Sequence, residues 1–203
     1  MTTAPRCTGV LLAGGRARRF GGLAKGLERV GGIRIIDRAT SALSEAADDV
    51  MIVANDPLAH DWIPGMRTVA DVKTGAGALG GLHTALAASG TDVLVLAWDS
   101  PFVPGPLLRA LRDAGELNDA DAAVPSSRSP YGFEPLCAWY SARCLLTIEE
   151  RIATGDLRAG AWQPAARTVH MDVSAWGDSN ELFFNVNSPD DLAQANVLAG
   201  TVR

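Results

Sequence analysis

The stretch that decides the fold is residues 9–25, which reads GVLLAGGRARRFGGLAK. It begins with five residues, Gly9–Ala13, none of which carries a polar side chain. An unbroken apolar run of this length is typical of a strand that is buried on both faces of a parallel sheet. Gly14 and Gly15 end the run, and cations follow. The stretch therefore predicts a buried strand that leads into a basic, glycine-rich loop.

The same alternation of strand and helix continues along the chain. Short apolar runs predict strands over residues 50–54, 68–70, 92–97 and 122–125, an extended segment over 134–140 and an alternating strand over 168–173. Helical periods occur over residues 36–47, 79–88, 104–114 and 141–153, and a capped helix starts at Ser188. Apolar strands separated by helices predict an α/β fold, a three-layer sandwich with a mostly parallel central sheet.

Length and composition exclude several classes of protein. The 203 residues fit one domain, residues 1–203. The apolar share of 47% and the charged share of 20% are those of a globular protein. The net charge of −5 argues against nucleic acid or an anionic membrane as a partner. No apolar window is long enough for a transmembrane helix. Three cysteines without disulfide or metal-ligand spacing indicate a reducing, cytoplasmic location.

The predicted strands end in residues that carry chemistry. Gly14-Gly15, Asn55, Asp71 and Asp99 each follow a predicted strand closely. Ligands of open parallel sheets bind beyond the carboxyl ends of the strands. We therefore expect these residues to line one ligand site.

The loop after the first strand has the composition of a phosphate site. Glycines such as Gly14 and Gly15 let successive backbone N–H groups point into one concavity, and Arg19 and Lys25 add cationic donors. Up to Leu27 the chain holds five cations and no acidic residue, which indicates a small anionic ligand. The chain has no G-x-x-x-x-G-K-S/T sequence, so the loop is not a P-loop. The alternative is a plain glycine turn with solvated arginines.

Asp99 is the candidate metal ligand, because Mg²⁺ prefers one or two carboxylates together with substrate phosphates and water. The alternative is an aspartate that caps the turn or helix that follows. Asn187, just before the helix start at Ser188, is a weaker candidate for the same metal through its amide oxygen. For Asn187 the alternative is turn geometry, for which asparagine is often used.

A second glycine motif, Gly75–Gly80, matches the dinucleotide fingerprint G-x-G-x-x-G. That fingerprint directly follows a long strand, whereas residues 71–74 separate this one from a short strand. We therefore expect a loop that packs near a base or sugar.

Together these motifs resemble the signature of the molybdenum cofactor guanylyltransferases, a family of nucleotidyltransferases. The matching motifs occur in the family's order over residues 12–189: Leu12-Ala13-Gly14-Gly15, Arg19-x-Gly21, Lys25, Gly77-x-Leu79-x-Gly81, Asp99-Ser100-Pro101-Phe102-Val103-Pro104, Pro135-Leu136-Cys137-Ala138 and Asn185-Val186-Asn187-Ser188-Pro189. The double glycine resembles the guanylyl enzymes more than their cytidylyl relatives, which tend to have Ala-Ala-Gly there.

The resemblance implies a Rossmann-like nucleotide-diphospho-sugar transferase architecture, with a nucleotide-binding half at 1–115 and a pterin-binding half at 116–203. It implies transfer of GMP from Mg²⁺-GTP to the phosphate of molybdopterin, with release of pyrophosphate. It also implies transient docking to proteins that deliver or insert the cofactor. The implied residue roles are backbone contacts to the nucleotide (Leu12, Ala13, Gly14, Gly15), phosphate contacts (Lys25, Arg19), guanine or ribose recognition (Asn55, Asp71) and Mg²⁺ binding (Asp99, Asn187).

Three alternatives to this function remain at this point. They are a cytidylyltransferase acting on the same pterin, a nucleotidyltransferase acting on a sugar or polyol phosphate, and a non-catalytic nucleotide-binding module. Two residues depart from the family pattern, Glu134 before Pro135 and Ser100 after Asp99. Glu134 and Arg158 are the candidate pterin contacts.

Overall fold

The structure is a computed structural model that describes residues 7–14, 24–160 and 167–201. The strands in that part of the chain are β1 Cys7–Ala13, β2 Arg29–Val30, β3 Ile33–Arg34, β4 Asp49–Ala54, β5 Arg67–Val69, β6 Asp92–Ala97, β7 Ala122–Pro125, β8 Cys137–Tyr140 and β9 Thr168–Met171. The helices are α1 Ile35–Ala46, α2 Ala59–Trp62, α3 Gly77–Ser89, α4 Gly105–Leu117, α5 Cys144–Ala153, α6 Ser179–Leu182 and α7 Pro189–Thr201, and a 3-10 turn spans Lys25–Leu27.

The central sheet has seven strands in the order β5-β4-β1-β6-β8-β7-β9. Strands β5, β4, β1 and β6 pair in parallel, β8 is antiparallel to both β6 and β7, and β9 is parallel to β7. The prediction of a mostly parallel α/β sheet is therefore confirmed. Because β8 runs the other way, the residues before it lie at the edge of the sheet where the parallel strands end.

Both faces of the sheet are covered by helices. Leu11 of β1 belongs to an apolar layer that α1 and α4 complete, including Leu43 and Leu107. Val10, the neighbouring residue, belongs to the layer on the other face, which α3 and α5 complete. Successive side chains of a strand point to opposite faces. An unbroken apolar run is therefore what a strand between two helical layers requires.

Several element boundaries differ from the predictions. Helix α3 begins at Gly77 rather than at residue 79, so the second half of the Gly75–Gly80 motif is helical rather than a loop. Helix α5 begins at Cys144 rather than at residue 141, and β9 ends at Met171 rather than at residue 173. The helix at Ser188 starts as predicted, since the Ser188 hydroxyl accepts a hydrogen bond from the Asp191 N–H at 3.2 Å.

The short hairpin of β2 and β3 and the helices α2 and α6 were missed. Two-residue strands and four-residue helices are too short to produce a hydrophobic period. The hairpin nevertheless has a local signal, Gly31-Gly32, whose φ angles of 58° and 81° are those of a tight two-residue turn.

None of the helices in the described residues combines the length and the apolar character that a bilayer span would need.

Candidate active site

A cavity of about 700 Å³ opens over the carboxyl ends of the parallel strands. This volume is within the range of small-molecule sites, roughly 300–1,000 Å³. Seven of the predicted site residues form part of its wall: Leu12, Ala13, Gly14, Asn55, Asp71, Asp99 and Glu134. The sheet therefore brings together the first six of these residues, which are separated by up to almost ninety positions in sequence. Their location agrees with the expectation that residues at the carboxyl ends of parallel strands line one site.

Asp99, in the wall of the cavity, forms an ion pair with Lys25, and this pair is called the Lys25–Asp99 centre below. Lys25 Nζ donates to Asp99 Oδ2 at 2.5 Å and to the amide oxygen of Asn187 at 2.8 Å. The side chains of Lys25 and Asp99 are only 11% and 14% exposed. Water screens charges poorly at such a site, so the ammonium exerts a strong field on any anion that approaches it.

Lys25 is positioned by close packing of its neighbour Gly26 on an indole ring. A Cβ atom at position 26 would lie 2.9 Å from Cδ2 of Trp98 and still closer to Cε3. Trp98 is 3% exposed and stacks on Trp62, with ring centroids 5.0 Å apart. Trp98 also immediately precedes Asp99, so the position of its ring constrains both Lys25 and Asp99.

Asn187 is positioned by the start of α7. The Asn187 N–H donates to the Asp191 carboxylate at 2.9 Å, and the Asp191 N–H donates to Ser188. The preceding loop is tied to the end of β6, since the Val186 N–H donates to the Asp99 carbonyl at 2.9 Å. The hydroxyl of Ser100 donates to the Asn185 amide oxygen at 2.7 Å. Ser100, which departs from the family pattern, therefore still supplies a hydrogen-bonded hydroxyl at this position.

Asn55 and Asp71 form a reciprocal pair on one flank of the cavity. The Asn55 amide nitrogen donates to Asp71 Oδ2 at 2.7 Å, and the Asp71 N–H donates to the Asn55 amide oxygen at 2.8 Å. Both residues follow edge-side strands, β4 and β5. These two hydrogen bonds fix the orientation of the Asp71 carboxylate, and both residues are part of the cavity wall.

Glu134, one of the two candidate pterin contacts, lies on the opposite flank of the cavity. The chain from Glu134 runs beside the end of β6, because the Ala97 N–H donates to the Leu136 carbonyl at 2.8 Å. Burial raises the pKa of the half-buried Glu134 carboxyl, and hydrogen bonds with the side chains of Ser127 and Ser129 partly offset that rise. Tyr131 also lines this flank and was not predicted as a site residue.

Three predicted site residues do not join this arrangement in the described structure. Gly15 and Arg19 lie outside the described residues. Arg158 is exposed, pairs with Asp156 at 3.0 Å and is absent from the residues that line the cavity.

The residues at the centre fit a hard divalent cation. The described residues contain no group of three or more His, Cys, Asp or Glu side chains arranged for a metal. Asp99 and Asn187 instead offer one carboxylate and one amide oxygen, and the Lys25 ammonium already stands between them as a cation. Mg²⁺ commonly takes few protein oxygens and completes its shell with phosphates and water, so this small donor set matches it.

Comparisons with known proteins agree with this architecture. The family description "MobA-like NTP transferase domain" matches residues 9–169. The chain is 36% identical over 202 residues to a probable molybdenum cofactor guanylyltransferase of Pelotomaculum thermopropionicum, covering 98% of this chain and 96% of that protein. It is 34% identical over 203 residues to the molybdenum cofactor guanylyltransferase of Desulfosudis oleivorans, covering 96% and 98%.

A solved structure is similar over the same length. It is the molybdopterin-guanine dinucleotide biosynthesis protein A of Archaeoglobus fulgidus, which superposes with a TM-score of 0.80 at 26% identity. The match covers 96% of this chain and all of the other.

Proposed function

This chain belongs to the family of MobA-like NTP transferases, and from that premise we propose that it is a molybdenum cofactor guanylyltransferase. It transfers GMP from GTP to the terminal phosphate of molybdopterin and releases pyrophosphate. The observation that carries the proposal is the group of Lys25, Asp99 and Asn187, in which a buried ammonium contacts a carboxylate and an amide oxygen at the wall of the cavity.

The reaction needs no protein nucleophile. An oxygen of the pterin phosphate forms a bond to the α-phosphorus of GTP, and the bond from that phosphorus to the bridging oxygen breaks, so the electron pair leaves with pyrophosphate. Cys137, the thiol in the cavity wall, does not compete for this role, because burial raises its pKa far above the ordinary range. The protein therefore has to align two phosphates and neutralise their charge.

Lys25 supplies that charge at the leaving side. Its ammonium donates to phosphate oxygens and stabilises the negative charge that develops on pyrophosphate. Asp99 and Asn187 would hold Mg²⁺, which would supply further positive charge to the phosphates. The backbone of Leu12, Ala13 and Gly14 holds the nucleotide, and we assign Gly15 and Arg19 to the same phosphate loop.

Asn55 and Asp71 recognise the guanine or the ribose. A carboxylate accepts hydrogen bonds only, and guanine presents two adjacent N–H donors, which cytosine does not. Asn55 fixes the orientation of the Asp71 carboxylate, which suits a contact with these two N–H donors. This favours GTP over CTP and separates the proposal from a cytidylyl enzyme.

Within this proposal residues 1–115 bind the nucleotide and residues 116–203 bind the pterin. Docking to proteins that deliver or insert the cofactor stays a prediction.

Calorimetry with each nucleoside triphosphate and Mg²⁺ tests the nucleotide side. We expect GTP to bind preferentially, and Asp71→Ala to weaken that binding or its base preference. Tighter binding of CTP would instead favour the cytidylyl alternative. If GTP affinity and base preference in Asp71→Ala match the wild type, the role of Asp71 is wrong.

Pyrophosphate release with GTP and molybdopterin tests the chemistry. Loss of one key charged donor costs about 2.7–4 kcal/mol, so Lys25→Ala and Asp99→Ala should each lose at least about 100-fold in turnover. The matched controls are Arg109→Ala and Asp113→Ala, which remove exposed charges on α4. Unchanged turnover in both site variants, with the fold verified by circular dichroism, would refute the assignment. Absence of turnover in the wild type would favour a binding module.

A further inference from the structure

The cavity has a carboxylate on each side of the Lys25–Asp99 centre. Asp71 follows β5, which with β4 lies on one side of β1 and β6, whereas Glu134 precedes β8 on the other side. Neighbouring strands are about 4.8 Å apart, so β5 and β8, which carry the two carboxylates at their ends, are separated by roughly 19 Å across the sheet. A reaction centre flanked in this way suits two substrates whose phosphates meet in the middle.

Among the described residues, no ion pair includes the Glu134 carboxylate. Its hydrogen-bond partners there are the side chains of Ser127 and Ser129. A carboxylate has about four acceptor positions, so two hydroxyls do not replace all of the water contacts that burial removes. Ligand N–H groups are the natural further donors, because the carboxylate can accept several hydrogen bonds at once.

An aromatic face lies next to Glu134. The ring of Tyr131 is 46% exposed and is supported by Phe133, with ring centroids 5.9 Å apart. Gly160 packs closely against it, since a Cβ atom there would lie 3.1 Å from Tyr131 Cδ1. A supported, exposed ring beside a hydrogen-bond acceptor is suited to a flat heterocycle that stacks and donates from its edge.

We propose that Glu134 and Tyr131 form the acceptor subsite, where Glu134 accepts the paired N–H donors of the 2-amino-4-oxo edge of a pterin ring that stacks on Tyr131. This rests on the proposed function. Guanine carries the same pair of donors on its own edge and occupies the Asp71 flank. Asp71 thus binds the donor edge of guanine and Glu134 binds the donor edge of the pterin. The phosphates of the two substrates then reach the Lys25–Asp99 centre from opposite sides.

The ratio of the affinities for a pterin probe and a lumazine probe tests the subsite and does not require the enzyme to turn over. The probes are 6-hydroxymethylpterin monophosphate and its lumazine counterpart, in which an oxo group replaces the 2-amino group, and binding is followed by their fluorescence. We expect the wild type to prefer the pterin by at least about tenfold, since a hydrogen bond to a charged group supplies that much discrimination. GTP and ITP, which lacks the 2-amino group, give the matching ratio for the other flank.

Glu134→Gln is the decisive variant, because it keeps the size of the side chain and replaces one acceptor oxygen by a donor. We expect the pterin-to-lumazine ratio to fall below about threefold, while the affinity for GTP and the GTP-to-ITP ratio stay within about twofold of the wild type. Retained GTP binding also shows that the variant is folded. Tyr131→Leu should weaken pterin and lumazine equally, and the exposed change Glu150→Gln should alter nothing.

Two results would overturn the inference. If Glu134→Gln retains the pterin preference, Glu134 has only a structural role, through its hydrogen bonds with Ser127 and Ser129. Collapse of the GTP-to-ITP ratio in that variant would show that it binds the guanine instead. A wild type that releases pyrophosphate but binds pterin and lumazine equally refutes this inference alone, whereas a wild type that releases none refutes the proposed function.

Discussion

The substitution Gly26→Ala tests how the fold positions the catalytic lysine. The new methyl group would lie 2.9 Å from Trp98 Cδ2 and closer to Cε3, whereas ordinary carbon contacts begin near 3.5 Å. Trp98 is buried and stacked on Trp62, so it has little room to move. The turn that carries Lys25 must therefore shift by about 1 Å.

The consequence for catalysis follows from the short distances at the centre. A displacement of about 1 Å takes Lys25 Nζ from 2.5 Å to beyond hydrogen-bond distance of Asp99, unless the side chain compensates. A misplacement of this size in an active site costs about 100-fold in rate. Overpacking also costs about 1–3 kcal/mol of folding free energy. That cost lowers Tm by roughly 2–12 °C in a chain of this length.

Pyrophosphate release with GTP and molybdopterin measures the first effect, and thermal unfolding followed by circular dichroism measures the second. The matched control is Gly200→Ala, since a Cβ atom at that helical position meets nothing within 4 Å. It should leave turnover unchanged and the helix equal or slightly more stable. A lower Tm with wild-type turnover would refute the role of the Gly26–Trp98 contact in positioning Lys25, and no change in either would refute the packing itself.

Two further predictions follow from the charges in the cavity. Lys25→Met should tighten the binding of free Mn²⁺, titrated by electron paramagnetic resonance without nucleotide, because the ammonium now occupies the oxygens of Asp99 and Asn187. Repulsion of one charge at about 4 Å is worth roughly 1–4 kcal/mol, so we expect at least about a tenfold gain. Lys73→Met is the matched control, and an unchanged Mn²⁺ affinity in Lys25→Met would place the metal elsewhere. Glu134→Gln should change how stability depends on pH. Burial raises the pKa of Glu134 in the folded state, so the unfolding free energy of the wild type falls as pH rises through the window between the unfolded and folded pKa values. The variant lacks that fall, so urea titrations should show its relative stability growing from about pH 4 towards neutrality, whereas a difference that is independent of pH would contradict the burial argument.

Local sequence was sufficient for most of the fold. The run Gly9–Ala13 is apolar throughout because its strand lies between two helical layers, and this pattern needs no tertiary information to be recognised. The cap at Ser188 is equally local, since its hydroxyl and Asp191 are three residues apart. The hairpin of β2 and β3 was missed because its two-residue strands have no period.

The location of Asn55, Asp71 and Asp99 at one edge also followed from sequence. Parallel strands end on the same side of a sheet, so residues that follow them directly share that side. Their roles, and those of Gly15 and Arg19 outside the described residues, stay predictions.

The sequence by itself therefore determined the alternating α/β fold and the edge of the sheet that carries the polar residues. Only the tertiary structure decided which of these residues touch. Lys25 meets Asp99 and Asn187 across 74 and 162 positions, through packing of Gly26 on Trp98 and the return of α7 to the end of β6. Glu134 reaches the site because β8 runs antiparallel. Strand order and direction depend on contacts between distant segments, and no local pattern contains them.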